Sequence, residues 1–132
     1  MYQDATVVIM AGAMVSALAL EIGGAVLVTW LTWRAANGTL GRNDLAGVRT
    51  RVTMSSDDAW RTGHRAALRP TLISGAITVL WCAACIIVPA LRTPVPVIVA
   101  SVILVGGALL SIPAAHRAVR RAELEDRTGH ED

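Results

Sequence analysis

A single carboxylate stands within the first long apolar stretch of the chain. Glu21 lies near the middle of residues 5–33, which contain no other acidic or basic residue. A carboxylate at the centre of a spanning helix costs about 2.5–3.5 kcal/mol on insertion scales, so it is a candidate for proton transfer or ligand binding. The alternative is a protonated Glu21 that holds helices together by hydrogen bonding. Depth along the chain predicts that Thr78 and Cys82 lie level with it.

Small polar residues recur at helical spacing in the second apolar stretch, which suits close packing between helices. They are Thr71, Ser74, Thr78, Cys82 and Cys85. The last two form a C-x-x-C pair, which indicates redox chemistry in a thioredoxin-like context. Thiols buried in apolar surroundings are inert, however, so packing is the favoured interpretation.

The sequence lacks the residue patterns of metal sites and enzymes. His64 has no Cys or Asp companions at ligand spacing, so no metal is expected there. The chain contains no Gly-rich phosphate loop, nucleophile elbow or helical His pair. We therefore predict no enzyme, no catalytic residue and no cofactor.

Three apolar segments must position these side chains. The 132 residues are 54% hydrophobic and 17% charged, whereas soluble domains carry about 45–50% apolar and about 25% charged residues. A helix needs about 20 apolar residues to cross a bilayer, and residues 5–33, 71–91 and 95–115 meet that length. Pro94 and Pro96 predict a turn between the last two. The sequence predicts one all-α membrane domain over residues 1–132.

The arginines predict an orientation. Residues 34–69 hold seven Arg against three Asp, a net charge of +4, and Arg117, Arg120 and Arg121 come soon after the third span. Because basic flanks stay cytoplasmic, loop 34–70 and tail 116–132 are expected inside, and the amino terminus outside. This orientation also explains the basic residues without nucleic-acid binding.

The second half of the loop predicts an amphipathic helix along the cytoplasmic membrane surface, which turns into the second span at Pro70. Ser55 or Ser56 suits an N-cap, and Asp57 and Asp58 suit the first turn. One face carries Trp60, His64, Ala67 and Leu68, and another carries Arg61, Arg65 and Arg69. Such a helix is either a basic surface element or a specific binding surface. The mixed-charge residues 123–127 are expected to be frayed or disordered beyond a short helical extension of the third span.

Residues 41–65 resemble the signature of the SdpI-like membrane protein family, named for the immunity factor against a sporulation-delaying toxin. The matching residues are Asn43, Gly47, Arg49, Thr50, Thr53, Trp60 and His64. Where the family often has Pro before the Asn, this chain has Arg42. The resemblance implies a bacterial cytoplasmic membrane protein, and toxin immunity or signal sequestration for some members.

The signature residues allow two interpretations. Gly47 permits backbone conformations closed to other residues, and the Thr hydroxyls can cap backbone groups. In one interpretation these residues fold the loop beneath the helix ends, whose terminal groups need partners. In the other, Arg49 and His64 face a partner or an anionic group.

Three functions follow as hypotheses. The first is an interaction protein in the bilayer that neutralises or sequesters a membrane peptide or toxin. The second is an accessory subunit of a larger membrane complex or a homo-oligomer, docked through its small-residue faces. The third, ranked lowest, is a proton- or solute-permeation protein that uses Glu21.

Overall fold

The computed structural model describes residues 2–129, and three long helices account for most of them. They are α1 (Tyr2–Ala36), α2 (Asp57–Ile87) and α3 (Pro94–Thr128), and a short 3-10 turn, Pro89–Leu91, lies between the last two. Each helix is long and apolar enough to cross a membrane. No strand occurs within the described range. The predicted all-α fold with three spanning helices is confirmed at this level.

Helix α2 is the central element of the bundle. Both α1 and α3 pack mainly on α2 and much less on each other. The small core contains Leu18, Cys82, Cys85 and Ala100, and both cysteines are free and fully buried. Large apolar side chains such as Leu20 and Leu80 remain exposed on the outside. This arrangement is typical of helices whose outer surface faces lipid, because lipid tails are as apolar as those side chains.

The predicted amphipathic surface helix is not supported as a separate element. Residues 57–69 are the first turns of α2, which continues through Pro70 to Ile87. An internal proline costs a helix about 3 kcal/mol, but one buried stripe runs along α2 on both sides of it, from Trp60 through His64 and Thr71 to Cys82. The Trp60 and His64 face is covered by the protein itself. The N-cap prediction holds at Ser56, whose side chain accepts from Ala59 N.

Helix α3 extends well beyond the apolar stretch. The prediction of a frayed segment at residues 123–127 is wrong, because the helix continues to Thr128. Its final turns are rich in Ala, Glu, Leu and Arg, which all favour helix, and Arg127 lies where a cation interacts well with the helix dipole. The rest of the predicted tail, residues 130–132, lies outside the described range.

The turn between α2 and α3 lies where the prolines predicted it. Thr93 is the N-cap residue of α3 and Pro94 occupies the first helical position, where the missing N–H costs nothing. The Arg92 guanidinium donates to the Ile86 carbonyl at 2.9 Å and so occupies a carbonyl at the end of α2. The turn places α3 beside α2, and the two helices pack extensively against each other.

Candidate functional site

His64 attaches the long loop to the side of α2. The Val48 backbone N–H donates to His64 Nε2 at 2.9 Å, while Nδ1 lies 2.7 Å from the Trp60 carbonyl oxygen. A carbonyl can only accept, so Nδ1 carries the proton and Nε2 presents its lone pair. His64 is therefore held neutral, in one tautomer, and fully buried. Its role here is that of a structural acceptor for the loop backbone.

Gly47 makes that close approach feasible. Its φ is +102°, and a Cβ at this position would lie 2.5 Å from His64 Nε2 and 3.0 Å from Trp60 Cη2. Both the backbone conformation and the space therefore require glycine. The indole N–H of Trp60 donates to the Leu40 carbonyl at 2.8 Å, which fixes the start of the same loop.

Thr50 and Thr53 close the end of the loop. Thr53 Oγ1 donates to the Val48 carbonyl at 2.5 Å and accepts from Thr50 N at 3.0 Å. Thr50 Oγ1 in turn accepts from Thr53 N at 3.2 Å and lies 2.8 Å from His116 Nε2. Because His116 belongs to α3, this contact attaches the loop to a second helix.

His116 was not among the residues singled out from the sequence. The available signal was a histidine placed just after the third apolar stretch, one turn beyond Ile112 and before Arg117. Nothing in that position distinguishes a loop anchor from an interfacial residue. Its role depends on how α3 packs against residues far away in sequence.

Asn43 and Arg49 lie on the outer side of the loop. The Asn43 side-chain oxygen accepts from the N–H groups of Leu45 and Ala46, both at 2.9 Å, and so shapes a local turn. The exposed Arg49 guanidinium donates to the Asp44 carbonyl. The structure therefore joins five of the seven signature residues in one network and leaves these two at the rim. A binding role for the signature residues stays a prediction.

Two arginines make contacts at helix ends, one from the loop and one from α2. Arg42 pairs with Asp57 at 2.7 Å at the start of α2, and Arg65 Nε donates to the Ala36 carbonyl at 3.2 Å at the end of α1. The first pair is exposed, and such pairs contribute about 0–1 kcal/mol. The second supplies a partner for a helix-terminal carbonyl that would otherwise lack one.

The anchored loop covers a cavity of about 420 Å³ that all three helices line. Residues 45–50 form its roof. The walls are apolar and include Val28 and Leu31 of α1 and Leu104, Ala108 and Ile112 of α3. The cavity thus lies mainly between α1 and α3, with α2 behind it.

Hydroxyl groups from all three helices supply the polar part of the cavity lining, which we call the floor. The lining hydroxyls belong to Thr29, Thr32, Thr71, Ser74 and Ser111. Those of Thr32, Thr71, Ser74 and Ser111 donate to carbonyls of their own helices at 2.6–3.1 Å. A hydroxyl has one proton and two lone pairs, so each of these four can still accept from a ligand.

Glu21 lies elsewhere, against α3. Ser101 Oγ donates to Glu21 Oε1 at 2.5 Å, which links α1 to α3. The hydroxyl of Thr78 is fully buried and has no hydrogen-bond partner among the described residues. Thr78 and Cys82 therefore belong to the packed face of α2, and the hydrogen bond that Glu21 makes across the bundle goes to Ser101 and to neither of them.

These features define a small membrane protein with a polar loop, hydrogen-bonded to two helices, over a cavity of mixed lining. In the described part of the chain, no three His, Cys, Asp or Glu side chains lie together as a metal site would require. The chain belongs to the SdpI/YfhL protein family, whose sequence profile matches residues 39–114, more than half of its length. That match contains the loop, α2 and most of α3. The resemblance seen in the signature is therefore confirmed. No curated protein and no solved structure gives a significant match.

Proposed function

We propose that the chain is a non-enzymatic membrane protein that binds a membrane-active peptide and thereby neutralises or sequesters it. The observation that carries this proposal is the cavity under the signature loop. Its volume of about 420 Å³ falls within the range of about 300–1,000 Å³ typical of ligand sites. Apolar walls with a few polar groups suit a ligand that is itself mostly apolar.

The rigidity of the loop supports the same function. His64, Thr53 and His116 hold the loop through hydrogen bonds that are partly buried. A loop that already has one conformation loses less conformational entropy when a ligand binds. Membership of a family named for an immunity factor supports protection of the cell that makes the protein as the biological outcome.

The proposal includes an orientation in a bacterial cytoplasmic membrane. Residues 34–69, between the first two apolar spans, carry seven Arg and three Asp, a net charge of +4, and basic flanks stay cytoplasmic. Trp30 and Trp33 are half-exposed at the loop end of α1, as side chains at a membrane interface are. The roof of the cavity then faces the cytoplasm.

Expression in a sensitive bacterium, followed by challenge with a panel of membrane-active peptides, tests the proposal. The wild-type chain should raise the inhibitory concentration of at least one peptide. Ala108→Phe should abolish the protection, because Ala108 lines the cavity and the larger ring would fill it. Leu109→Phe is the matched control, since Leu109 is the next residue of α3 and lies outside the cavity. No protection across the panel, with membrane expression verified, would count against the proposal.

A second candidate is an accessory subunit of a membrane complex or a homo-oligomer. A groove of about 430 Å³ between α1 and α2 favours it, because Trp33 and Leu72 line that groove and are exposed. Close-packing residues such as Gly75 lie at its base, as at interfaces between membrane helices. Purification in a mild detergent with mass spectrometry distinguishes the two: recovery of a free monomer alone would exclude this candidate.

A further inference from the structure

The Arg49 guanidinium is a cation without a carboxylate partner at the rim of the cavity. It lines the cavity mouth and donates to the Asp44 backbone carbonyl. Within residues 2–129, no carboxylate forms an ion pair with it, whereas Arg42 is paired with Asp57. A guanidinium presents several N–H donors in one plane, a geometry that matches a carboxylate. Arg49 therefore has donors left for an anionic group of a ligand.

The interior of the cavity indicates what else that ligand carries. Four floor hydroxyls have donated their protons to backbone carbonyls and can offer only lone pairs. A peptide backbone supplies N–H donors for these acceptors, whereas a lipid acyl chain supplies none. Under an acyl chain these hydroxyls would keep their bonds to the helix carbonyls, but their remaining lone pairs gain a partner only from a ligand with N–H groups. The floor therefore favours a peptide over a lipid chain.

The dimensions of the cavity suit a short peptide segment. On α1 its lining extends from Ala25 to Thr32, which is about 10 Å along the helix at about 1.5 Å per residue. An extended peptide covers about 3.3 Å per residue, so roughly three residues would occupy that length. Leu45, which is 92% exposed, stands at the mouth as an apolar contact beside Arg49.

From this arrangement we infer that the cavity binds the carboxyl-terminal end of an apolar peptide. Arg49 binds the terminal carboxylate at the rim, the floor hydroxyls accept from peptide N–H groups, and the walls contact apolar side chains. This inference rests on the proposed function and specifies the chemical group by which the peptide is recognised.

Binding of a defined peptide to the full chain in phosphatidylcholine nanodiscs tests the inference. The probe is a tetrapeptide of alternating leucine and alanine with an amino-terminal fluorophore, made as the free acid and as the carboxamide. Fluorescence anisotropy is measured, and binding to empty nanodiscs is subtracted. The acid should bind the wild type about ten- to a hundredfold more tightly than the amide, the value of a hydrogen bond to a charged group.

Two arginine variants locate the interaction. Arg49→Gln should lower the affinity for the acid to that for the amide, and unchanged affinity for the amide verifies that the variant is folded. Arg51→Gln is the control, because Arg51 is exposed in the same loop and lies outside the cavity. It should keep the preference for the acid.

Equal affinities of the wild type for the acid and the amide would overturn the carboxylate inference. The proposed function would still stand if Ala108→Phe abolishes binding of both peptides. Binding of neither peptide by a chain that still protects cells would likewise overturn the inference alone. A wild-type chain that neither binds the peptides nor protects cells would contradict the proposed function as well. Displacement of the acid by nanodiscs containing phosphatidylglycerol would show that Arg49 binds a lipid headgroup, which contradicts a peptide ligand.

Discussion

Gly47 allows the loop backbone to pass within hydrogen-bonding distance of a buried imidazole. Its positive φ and the nearby His64 ring both exclude a side chain, and the adjacent Val48 N–H then meets Nε2. The signature residues therefore fix the conformation of the loop backbone. Gly47 leaves space for the ring, and His64 accepts from Val48 N–H. Thr53 accepts from Thr50 N–H and donates to the Val48 carbonyl. The roof of the cavity depends on these three residues together.

Gly47→Ala should destabilise the protein by about 1–3 kcal/mol, because alanine at positive φ is strained and its Cβ overlaps His64. Thermal unfolding in detergent measures the loss. Gly41→Ala is the matched control in the same loop, since a Cβ at Gly41 would meet no atom within 4 Å. Equal unfolding temperatures for the two variants would contradict the assigned role of Gly47.

Thr53→Val should cost about 1–3 kcal/mol, since it leaves the Val48 carbonyl and the Thr50 N–H without their partner. Thr53→Ser keeps the hydroxyl and should lose less. Hydrogen exchange of the loop, measured by mass spectrometry, should rise in the Val variant. If exchange there stays at the wild-type rate, the hydroxyl does not hold the loop.

At the scale of the elements, α2 contacts both the loop, through its first turns, and the other two helices of the bundle. The sequence predicted a break at Pro70, because proline is usually a helix terminator. The local pattern could not reveal that Trp60 and His64 contact the chain's own loop, which makes residues before and after Pro70 one packed face. The three apolar spans were predictable because lipid selects by length and hydropathy alone, which are local properties.

Helix α3 packs on α2 through a glycine that has no space for a side chain. A Cβ at Gly107 would overlap the Ser74 side chain. Gly107→Ala should therefore separate the helices and cost about 1–3 kcal/mol. Gly106→Ala is a matched control, because its Cβ would meet nothing within 4 Å. Stability is measured by denaturation in mixed micelles, and equal stability of both variants would contradict this packing.

At the scale of the whole molecule, a basic loop lies at one end of a three-helix bundle and a short proline turn at the other. The family signature could be read from the sequence because its polar residues stand at fixed offsets in one loop. The cavity could not, because its walls come from α1 and α3, separated by some 70 residues. The contact of His116 with Thr50 was hidden for the same reason.

The orientation can be measured with single cysteines in a chain whose Cys82 and Cys85 are replaced by alanine. Thr93→Cys in the proline turn should react with a membrane-impermeant maleimide on intact cells. Ser55→Cys in the basic loop should react only after the membrane is permeabilised. The reverse pattern would invert the proposed topology.

The most direct test of the account is whether a neutralised peptide occupies the cavity under the loop. A photo-crosslinking amino acid is placed at Ala108, which lines the cavity, or at Leu109, the next residue of α3, which lies outside it. Cells are irradiated in the presence of a labelled peptide against which the chain protects. The account predicts a crosslink from position 108 and little from position 109. Equal crosslinking from both positions, or none from 108, would contradict it.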